Sequence, residues 1–582
     1  MSFITKIEKE LQETYKELGY EIDKVIFVKS NRKDLGDYQL NDAMKLAKLY
    51  HKSPVVIANE IKDKLKEKKY FKEVSVAGSG FINITLSDEY LIECVNELNK
   101  DPMNNIDIKE KKKIILDYGG ANVAKALHVG HLRSANIGEA LKRLAVLLGN
   151  EVIGDTHLGD SGLQAGIVVK EMMERFPELP CFKEDYDGSD FDLPIKKEDL
   201  KIIYPEGSKK SKEDEEYLEK ARQITFLIQR NHLGYSKLWD KITELSKEDI
   251  KEIYKRLNAT FELWEGERDS FIYIEEMMEH LRKQNLLYSS EGAIVMDVKE
   301  ESDELEVPPI ILEKSDGAYL YSTTDLATIY GRMKRFSPDE IWYVVDSRQS
   351  LHFKQVIRAA RKGHIINDDT VVELYGFGTM NGEDGKPFKT RSGGVMSLED
   401  LITLVKDETT KRINHDIVED DKVEETSEII AISALKYADL LPFRSTDYVF
   451  NPEKFSDLEG KTGPYLLYST IRMKSLLMKA KEQNESYNEF KIISNKETRD
   501  IIITLFDLPT SLNKSYEAKS LNEVADYIYR LTSVYNKFYA ENKVLIEENA
   551  EIKESWLVLS KVVYDTNKLL LDVLGLKCPE KM

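Results

Sequence analysis

Two histidines stand three residues apart in AKALHVGHLRSA, residues 124–135, in a chain with 9 histidines among 582 residues. His128 and His131 bracket Val129 and Gly130. An apolar run ending in glycines, KKIILDYGG, lies just before them. Leu132, Ala135, Ala140, Leu141, Leu144 and Leu148 follow at helical spacing and close on Gly149-Asn150. The pair therefore sits where a strand turns into a helix. Such a turn is an anion site, because the first helical N–H groups lack intrahelical acceptors and the dipole favours negative charge. Gly119, Gly120 and Gly130 let a ligand approach the backbone. Imidazoles placed there can donate to phosphate oxygens, most strongly as charge builds in a transition state. Two plainer readings stay open on these residues alone. A metal pair would need a third ligand, and none lies at a familiar offset. One histidine can also simply cap the helix.

A second stretch suits the same chemistry. GKPFKTRSGG, residues 385–394, is a glycine-flanked loop carrying Lys386, Lys389 and Arg391. Mobile cations on such a loop can close over a polyphosphate. By itself it is a basic turn; together with the histidine pair it points to the phosphates of a nucleotide.

The elements that must hold these residues read as follows. Residues 1–110 form a small α+β unit, with helix patterns at 5–19, 39–50 and 54–68 and a strand pair in VSVAGSGFINITLS around Gly78 and Gly80. KIILDY, the helix 131–148 and EVIGDTHLGD at 151–160 make a β-α-β unit, which requires a parallel sheet. Later strand candidates are GAIVMD, AYLYST, EIWYVVD and VVELYGFGTM. A charged, mostly helical stretch at about 165–290 reads as an insertion. From about 425 to 582 long one-sided helix patterns take over and predict a helical bundle. The expected fold is thus multidomain: an N-terminal α+β unit, a Rossmann-type α/β domain over 111–424 and a C-terminal all-α bundle.

Composition narrows the class. Hydrophobic residues make up 41% and charged residues 32%, as in water-soluble globular chains. No apolar run nears the roughly 20 residues that span a bilayer, and the amphipathic start lacks a signal-peptide core. Cys94, Cys181 and Cys578 offer neither a disulfide framework nor zinc spacing. The expectation is a cytoplasmic protein with no structural metal and no membrane partner. A net charge of -20 argues against binding nucleic acid over the whole surface, but not against local basic patches. Single-stranded RNA bases stack on aromatics beside cations. Tyr465, Tyr468 and Arg472 in GPYLLYSTIR, and Tyr535, Phe538 and Tyr539 in VYNKFYAEN, are candidates for this, with packing in the core as the alternative.

HVGH resembles the HIGH signature of class I aminoacyl-tRNA synthetases, and KPFKT at 386–390 resembles their KMSKS loop with both lysines in register. More narrowly the chain resembles arginyl-tRNA synthetases. The resemblance is carried by ANVAKALHVGHLRS, AYLYSTTDLA, DSRQSLHFKQ, KTRSGGVMSLEDL, LKYADL, GKTGPYLLY and the ending VLGLKCPEKM, and at the N-terminus by GDYQLNDAMKLAK and AGSGFIN. It departs from the family at Ser161, where tryptophan is usual, and at Ala126 and Asn136.

The resemblance implies an arginine–tRNA ligase with ATP, accompanied by Mg²⁺, L-arginine and tRNA(Arg) as its partners, acting as a monomer. His128, Gly130, His131, Lys386 and Lys389 would bind ATP, and the two histidines and two lysines would stabilise developing phosphate charge. Tyr321 and Asp325, which share a face if a helix begins there, match the pocket for the arginine side chain. Glu267 is a candidate second carboxylate, or else a surface acid. Asn122, Lys125 and Gln349 match positions around the amino-acid backbone, with Asp117 near its ammonium. Residues 1–110 match an additional domain that touches tRNA, and 425–582 an anticodon-binding domain. Two rivals are an inactive paralogue that only binds tRNA or another partner, and a different nucleotidyl-transferring enzyme with an HxGH loop.

Overall fold

A computed structural model describes residues 1–32, 34–386 and 396–582. At the N-terminus, α1 (Phe3–Glu17), β1 (Phe27–Lys29), β2 (Tyr38–Leu40), α2 (Ala43–Tyr50), α3 (Pro54–Leu65), β3 (Phe71–Ala77), β4 (Phe81–Leu86) and α4 (Asp88–Lys100) build a four-stranded antiparallel sheet, order β1-β2-β4-β3, with helices packed against it. The helix pattern expected from residue 39 starts later. Residues 38–40 pair with β1 and β4 instead, because Tyr38 and Leu40 bury one face of a strand.

The central sheet is wholly parallel. Its strands are β5 (Lys113–Tyr118), β6 (Glu151–Asp155), β10 (Glu340–Val344) and β11 (Val371–Leu374), in the order β11-β10-β5-β6. β5 is buried on both faces, which is why KIILDY reads as a continuous apolar run rather than an alternation. From β5 the chain crosses through α5 (Val129–Leu147) to β6 on one side. It later returns to β10 on the other side of β5 and crosses through α12 (Ser350–Lys362) to β11. The order reverses between β5 and β10. The crevice at the carboxyl ends of these two strands is where open α/β sheets bind ligands.

Between β6 and β10 lie α6 (Leu163–Arg175), α7 (Lys197–Glu213), α8 (Glu215–Gln229), α9 (Leu233–Arg256) and α10 (Phe271–Lys283). An antiparallel sheet of β7 (Leu287–Ser290), β8 (Ala293–Met296) and β9 (Ile310–Glu313) and the helix α11 (Tyr321–Phe336) complete this stretch. One strand expectation is met in a different sheet and one is corrected here. GAIVMD is a strand, β8, but it joins this separate antiparallel sheet. AYLYST is not a strand: α11 begins at Tyr321, and the Thr323 hydroxyl accepts the Leu320 N–H at 3.2 Å, closing the first turn.

After β12 (Met380–Asn381) and α13 (Leu398–Thr410) come α14 (Val423–Leu440), β13 (Tyr448–Val449) and α15 (Pro452–Phe455). They are followed by α16 (Gly463–Glu482), α17 (Lys496–Leu505), α18 (Leu508–Ala518), α19 (Asn522–Glu541) and α20 (Ala550–Val573). These last helices pack on one another, on α5 and on the N-terminal unit in one continuous apolar cluster. Phe3 meets Phe506 at 5.4 Å between ring centroids, Asn105 Nδ2 donates to the Leu505 carbonyl at 3.0 Å, and Arg499 bridges Asp37 and Asp88 at 2.6 and 2.7 Å. No helix among the described residues is long and apolar enough to cross a membrane.

Candidate active site

The helix α5 is positioned by contacts that its own sequence does not advertise. It lies between the sheet and the C-terminal helices, so polar residues on it are buried and paired. Arg133 Nε donates to Asp439 at 2.7 Å, Asn136 donates to the other Asp439 oxygen at 2.9 Å, and Glu139 accepts from Tyr118 at 2.8 Å. Gly138 lets helix and strand touch, since a Cβ there would sit 2.3 Å from the Tyr118 ring.

His128 is the N-cap of α5. Its Nδ1 accepts the Gly130 N–H at 3.1 Å, and His131 Nδ1 accepts the His128 N–H at 3.0 Å. The ring centroids are 4.0 Å apart. A Cβ on residue 130 would lie 2.8 Å from the His128 ring, so glycine is needed between the two. Burial pushes the His131 imidazole down to about 3, with His128 beside it adding to the effect. Burial also lowers His128, helped by Arg348 and Lys125. Both rings are therefore neutral at pH 7. Each Nδ1 has a lone pair committed to a backbone N–H, so each proton sits on Nε2. The cap and the donor are one arrangement rather than alternatives.

The segment that follows the basic loop meets this cap. Lys386 is exposed, and its carbonyl accepts the Gly382 N–H at 2.8 Å. Lys389 lies outside the described residues. Where the chain is next described, Ser397 bridges to His128 and the Leu398 N–H donates to the Leu127 carbonyl at 2.9 Å.

A second group of side chains gathers around α11. Asp325 and Tyr321 are one turn apart. Asp325 Oδ2 is 2.5 Å from His352 Nε2, and its Oδ1 is 4.0 Å from His157 Nε2. Glu267 is buried, not a surface acid, and accepts from both the N–H and the hydroxyl of Ser161. The Glu267 carboxyl is raised to about 7, chiefly by burial and also by Asp325 and Asp160, against the Ser161 hydrogen bond. Tyr321 keeps 51% exposure, yet burial, Glu267 and Asp325 all raise its phenol. Tyr321, Asp325 and Glu267 are thus brought together.

Asp117 is buried near the end of β5. Its carboxylate is taken by Arg332 of α11, whose Nη2 donates to Asp117 at 2.7 Å and to Asp155 at 2.5 Å. The residue, next to last in β5, joins a buried ion pair through its Oδ2. Asp117, Asp155 and His157 are also the one cluster of metal-ligand types among the described residues, and the guanidinium sits between its carboxylates. Asn122 lines the β5 side of the crevice, bridged to Gly159. Lys125 Nζ lies 4.8 Å over the Tyr204 ring. Gln349 is exposed at the mouth beyond β10 as the N-cap of α12.

His157, His352 and Arg332 were not singled out in the sequence, and Ser161 was named only as a departure from the family. His157 carried one available signal, a polar ring two residues past the buried end of β6, and its backbone is in the left-handed region (φ 26°). Burial pushes its imidazole down, but Asp117, Asp155 and Asp325 outweigh that and the net shift is upward.

The candidate RNA aromatics divide. Tyr535 and Phe538 are core residues: Tyr535 is fully buried, with its hydroxyl on Ser560 at 3.0 Å, and Phe538 packs edge-on to Trp556. Tyr465 is half-buried and accepts from Asn536 at 2.9 Å. Tyr468 and Tyr539 flank Arg472, whose guanidinium lies 4.7 and 5.7 Å from their ring centroids. All three are half-exposed and form one platform.

Family models match nearly the whole chain. They are described as "tRNA synthetases class I (R), catalytic domain" over 93–452, "Arginyl tRNA synthetase N terminal domain" over 2–86 and "DALR anticodon binding domain" over 466–582. Proteins named arginine–tRNA ligase from Alkaliphilus oremlandii and Agathobacter rectalis are 42% and 40% identical, covering 100% of this chain and 99% of theirs. The arginyl-tRNA synthetase structures of Plasmodium falciparum and Thermus thermophilus superpose with TM-scores of 0.80 and 0.76 at 24% and 19% identity. They span 100% and 99% of this chain and 100% of their own, and so share its fold. With a parallel sheet, a histidine-capped helix at its switch point and relatives this similar end to end, the chain belongs to the class I arginyl-tRNA synthetase family.

Proposed function

We propose that the crevice between β5 and β10 is where this arginine–tRNA ligase makes arginyl-adenylate from L-arginine and ATP, before passing the arginyl group to the 3′ end of tRNA(Arg). In the first step an arginine carboxylate oxygen attacks the α-phosphorus, the bond to the β-phosphate oxygen breaks, and pyrophosphate leaves. In the second, a ribose hydroxyl of the terminal tRNA nucleotide attacks the arginyl carbonyl and AMP leaves. Neither step needs a protein nucleophile, so catalysis is placement and charge stabilisation.

The observation that carries this reading is the paired histidine cap. It supplies two neutral Nε2–H donors at a helix N-terminus without any protonation step. Gly130 keeps the backbone open between them, and Lys386 and Lys389 bring cations from the loop. Mg²⁺ arrives with ATP, since it keeps water and phosphate ligands rather than an all-protein cage. Asp325 and Glu267 supply carboxylates for the guanidinium, with Tyr321 beside them. Asn122, Lys125 and Gln349 line the end where the arginine backbone lies. Asp117, held at Oδ2 by Arg332, is the carboxylate for the α-ammonium. Tyr468, Arg472 and Tyr539 form a stacking site for tRNA, with Tyr465 at its edge.

The same reading divides the chain at about 110 and 425, with the helical insertion at about 165–290, and takes the protein as a cytoplasmic monomer. Arginine-dependent exchange of pyrophosphate into ATP, measured with and without tRNA(Arg), tests it. Exchange that is indifferent to arginine would reject it, and tRNA binding without either exchange or charging would mark an inactive paralogue.

A further inference from the structure

Glu267 opens a short turn, Glu267–Ser270, that is tied to the segment after β6. Its N–H donates to the Leu158 carbonyl at 3.0 Å, and the Arg268 N–H donates to Asp160 Oδ1 at 2.9 Å. That segment is itself fixed from the helical insertion. Gln164 donates to the Gly159 carbonyl at 2.8 Å, Trp239 to the Asp160 carbonyl at 2.7 Å and Gln229 to the Ser161 carbonyl at 3.1 Å. Ser161 thus presents its N–H and hydroxyl from an anchored backbone, and both fall on the same Glu267 oxygen, Oε2. Among the described residues no hydrogen-bond donor reaches Oε1.

We propose that Ser161 is a positioning residue for arginine selection: its two donors hold one oxygen of Glu267 and leave the other to share a single guanidinium with Asp325. This rests on the reading of the crevice as the arginine site. Two carboxylates in a low-dielectric pocket resist being charged together, and one tends to keep its proton. The groups facing Glu267 are Asp325 and Tyr321 from α11, and Asp160 and His157 from the segment after β6. Burial, Asp325 and Asp160 favour the protonated acid, while Ser161 and His157 favour the carboxylate. A protonated Glu267 cannot pair with a guanidinium as an anion. The Ser161 hydroxyl therefore helps decide whether the pocket offers one negative charge or two near neutrality.

The test uses the full-length protein and follows arginine KM, ATP KM and kcat for tRNA charging from about pH 6 to about pH 9, a range that brackets the raised carboxyl. For the parent, arginine KM rises as pH falls through about 7. Ser161→Ala removes a donor to a charged acceptor, so its arginine KM at pH 7 rises about tenfold. The gap closes toward about pH 9, where Glu267 is ionised in both proteins. ATP KM and kcat stay at parental values, Ser161→Thr restores the parental profile, and Ser161→Cys, a weak donor of similar size, falls between. A KM increase for Ser161→Ala that is the same at every pH would reduce the residue to packing and overturn the proposal. So would parental arginine KM in Ser161→Ala alongside a raised KM in Glu267→Gln. If Glu267→Gln and Asp325→Asn both leave arginine KM unchanged, the arginine-site reading itself fails.

Discussion

At the histidine pair, one ring nitrogen holds the helix and the other is left for the ligand, so substitutions can separate stability from chemistry. Asparagine can replace Nδ1 as a cap acceptor but cannot place a donor where Nε2–H stands. His128→Asn and His131→Asn should keep the parental unfolding temperature within a few degrees and lose about 10²- to 10³-fold in pyrophosphate exchange, the usual loss for one transition-state donor. Alanine at either position should lose both. Calorimetry with exchange assays on the four variants checks this, and parental exchange in the asparagine pair would remove the histidines from the phosphate site. The pH dependence has a definite sign as well. His131 is held down at about 3, so it gains no proton as pH falls from 8 to 6, and burial shifts His128 in the same direction. kcat at saturating arginine should show no histidine-like titration near about 6.5. Asp325→Asn should raise arginine KM by roughly two to three orders of magnitude, because removing one partner of a charge pair costs about 3–5 kcal/mol, while ATP KM stays put. Among these residues the sequence was most readable where partners are close along the chain. His128 and His131 cap each other over three residues, so their spacing shows it. Glu267 and Ser161 are 106 residues apart, and although each was named singly, nothing local shows that they pair.

Among the elements, the fit of α5 against β5 is the tightest constraint. A Gly→Ala change inside a helix usually stabilises by about 0.5–1 kcal/mol. At Gly138 the new methyl would lie 2.3 Å from the Tyr118 ring, and overpacking of that kind costs about 1–3 kcal/mol. The steric term wins. Gly138→Ala should lower stability by about 1–2 kcal/mol, read from the denaturant midpoint, and Tyr118→Leu on the same background should recover part of it. An alanine variant more stable than the parent would show that helix and strand have room to spare. Element type was legible where an apolar period was long, as in KIILDY and the C-terminal helices. It was not legible in AYLYST, where six residues alternate like a strand but a threonine hydroxyl closes a helical turn. Nor does helical spacing separate Tyr535 from Tyr539, because four residues place both on one side of α19 and only depth divides them: Tyr535 reaches Ser560 in the core, while Tyr539 stops beside Arg472.

For the whole molecule, a net charge of -20 means that tRNA must be held by local features, not by a general field. Tyr468→Ala and Arg472→Ala should each weaken tRNA binding by about 1–3 kcal/mol, the range for a stacking contact, and leave arginine KM unchanged at saturating tRNA. Filter binding and steady-state charging report the two effects separately; full affinity in both variants would move the RNA contact elsewhere. Cutting the chain at 424 would be a poor version of this test, because α5 and the N-terminal unit both bury apolar surface against the helices that would be lost.

The docking of the N-terminal unit on those helices has a consequence for how the chain is made. Asn105 and its partner Leu505 are 400 residues apart, and Phe3 waits for Phe506. At about 5–20 residues per second of synthesis, the first hundred residues spend roughly 20–80 seconds outside the ribosome before their partner surface emerges. Ribosome-bound chains stalled near residue 450 should be cut by protease around α1 and α4, and chains stalled well past residue 560 should resist. Equal resistance at both lengths would mean that the first unit seals itself without the last.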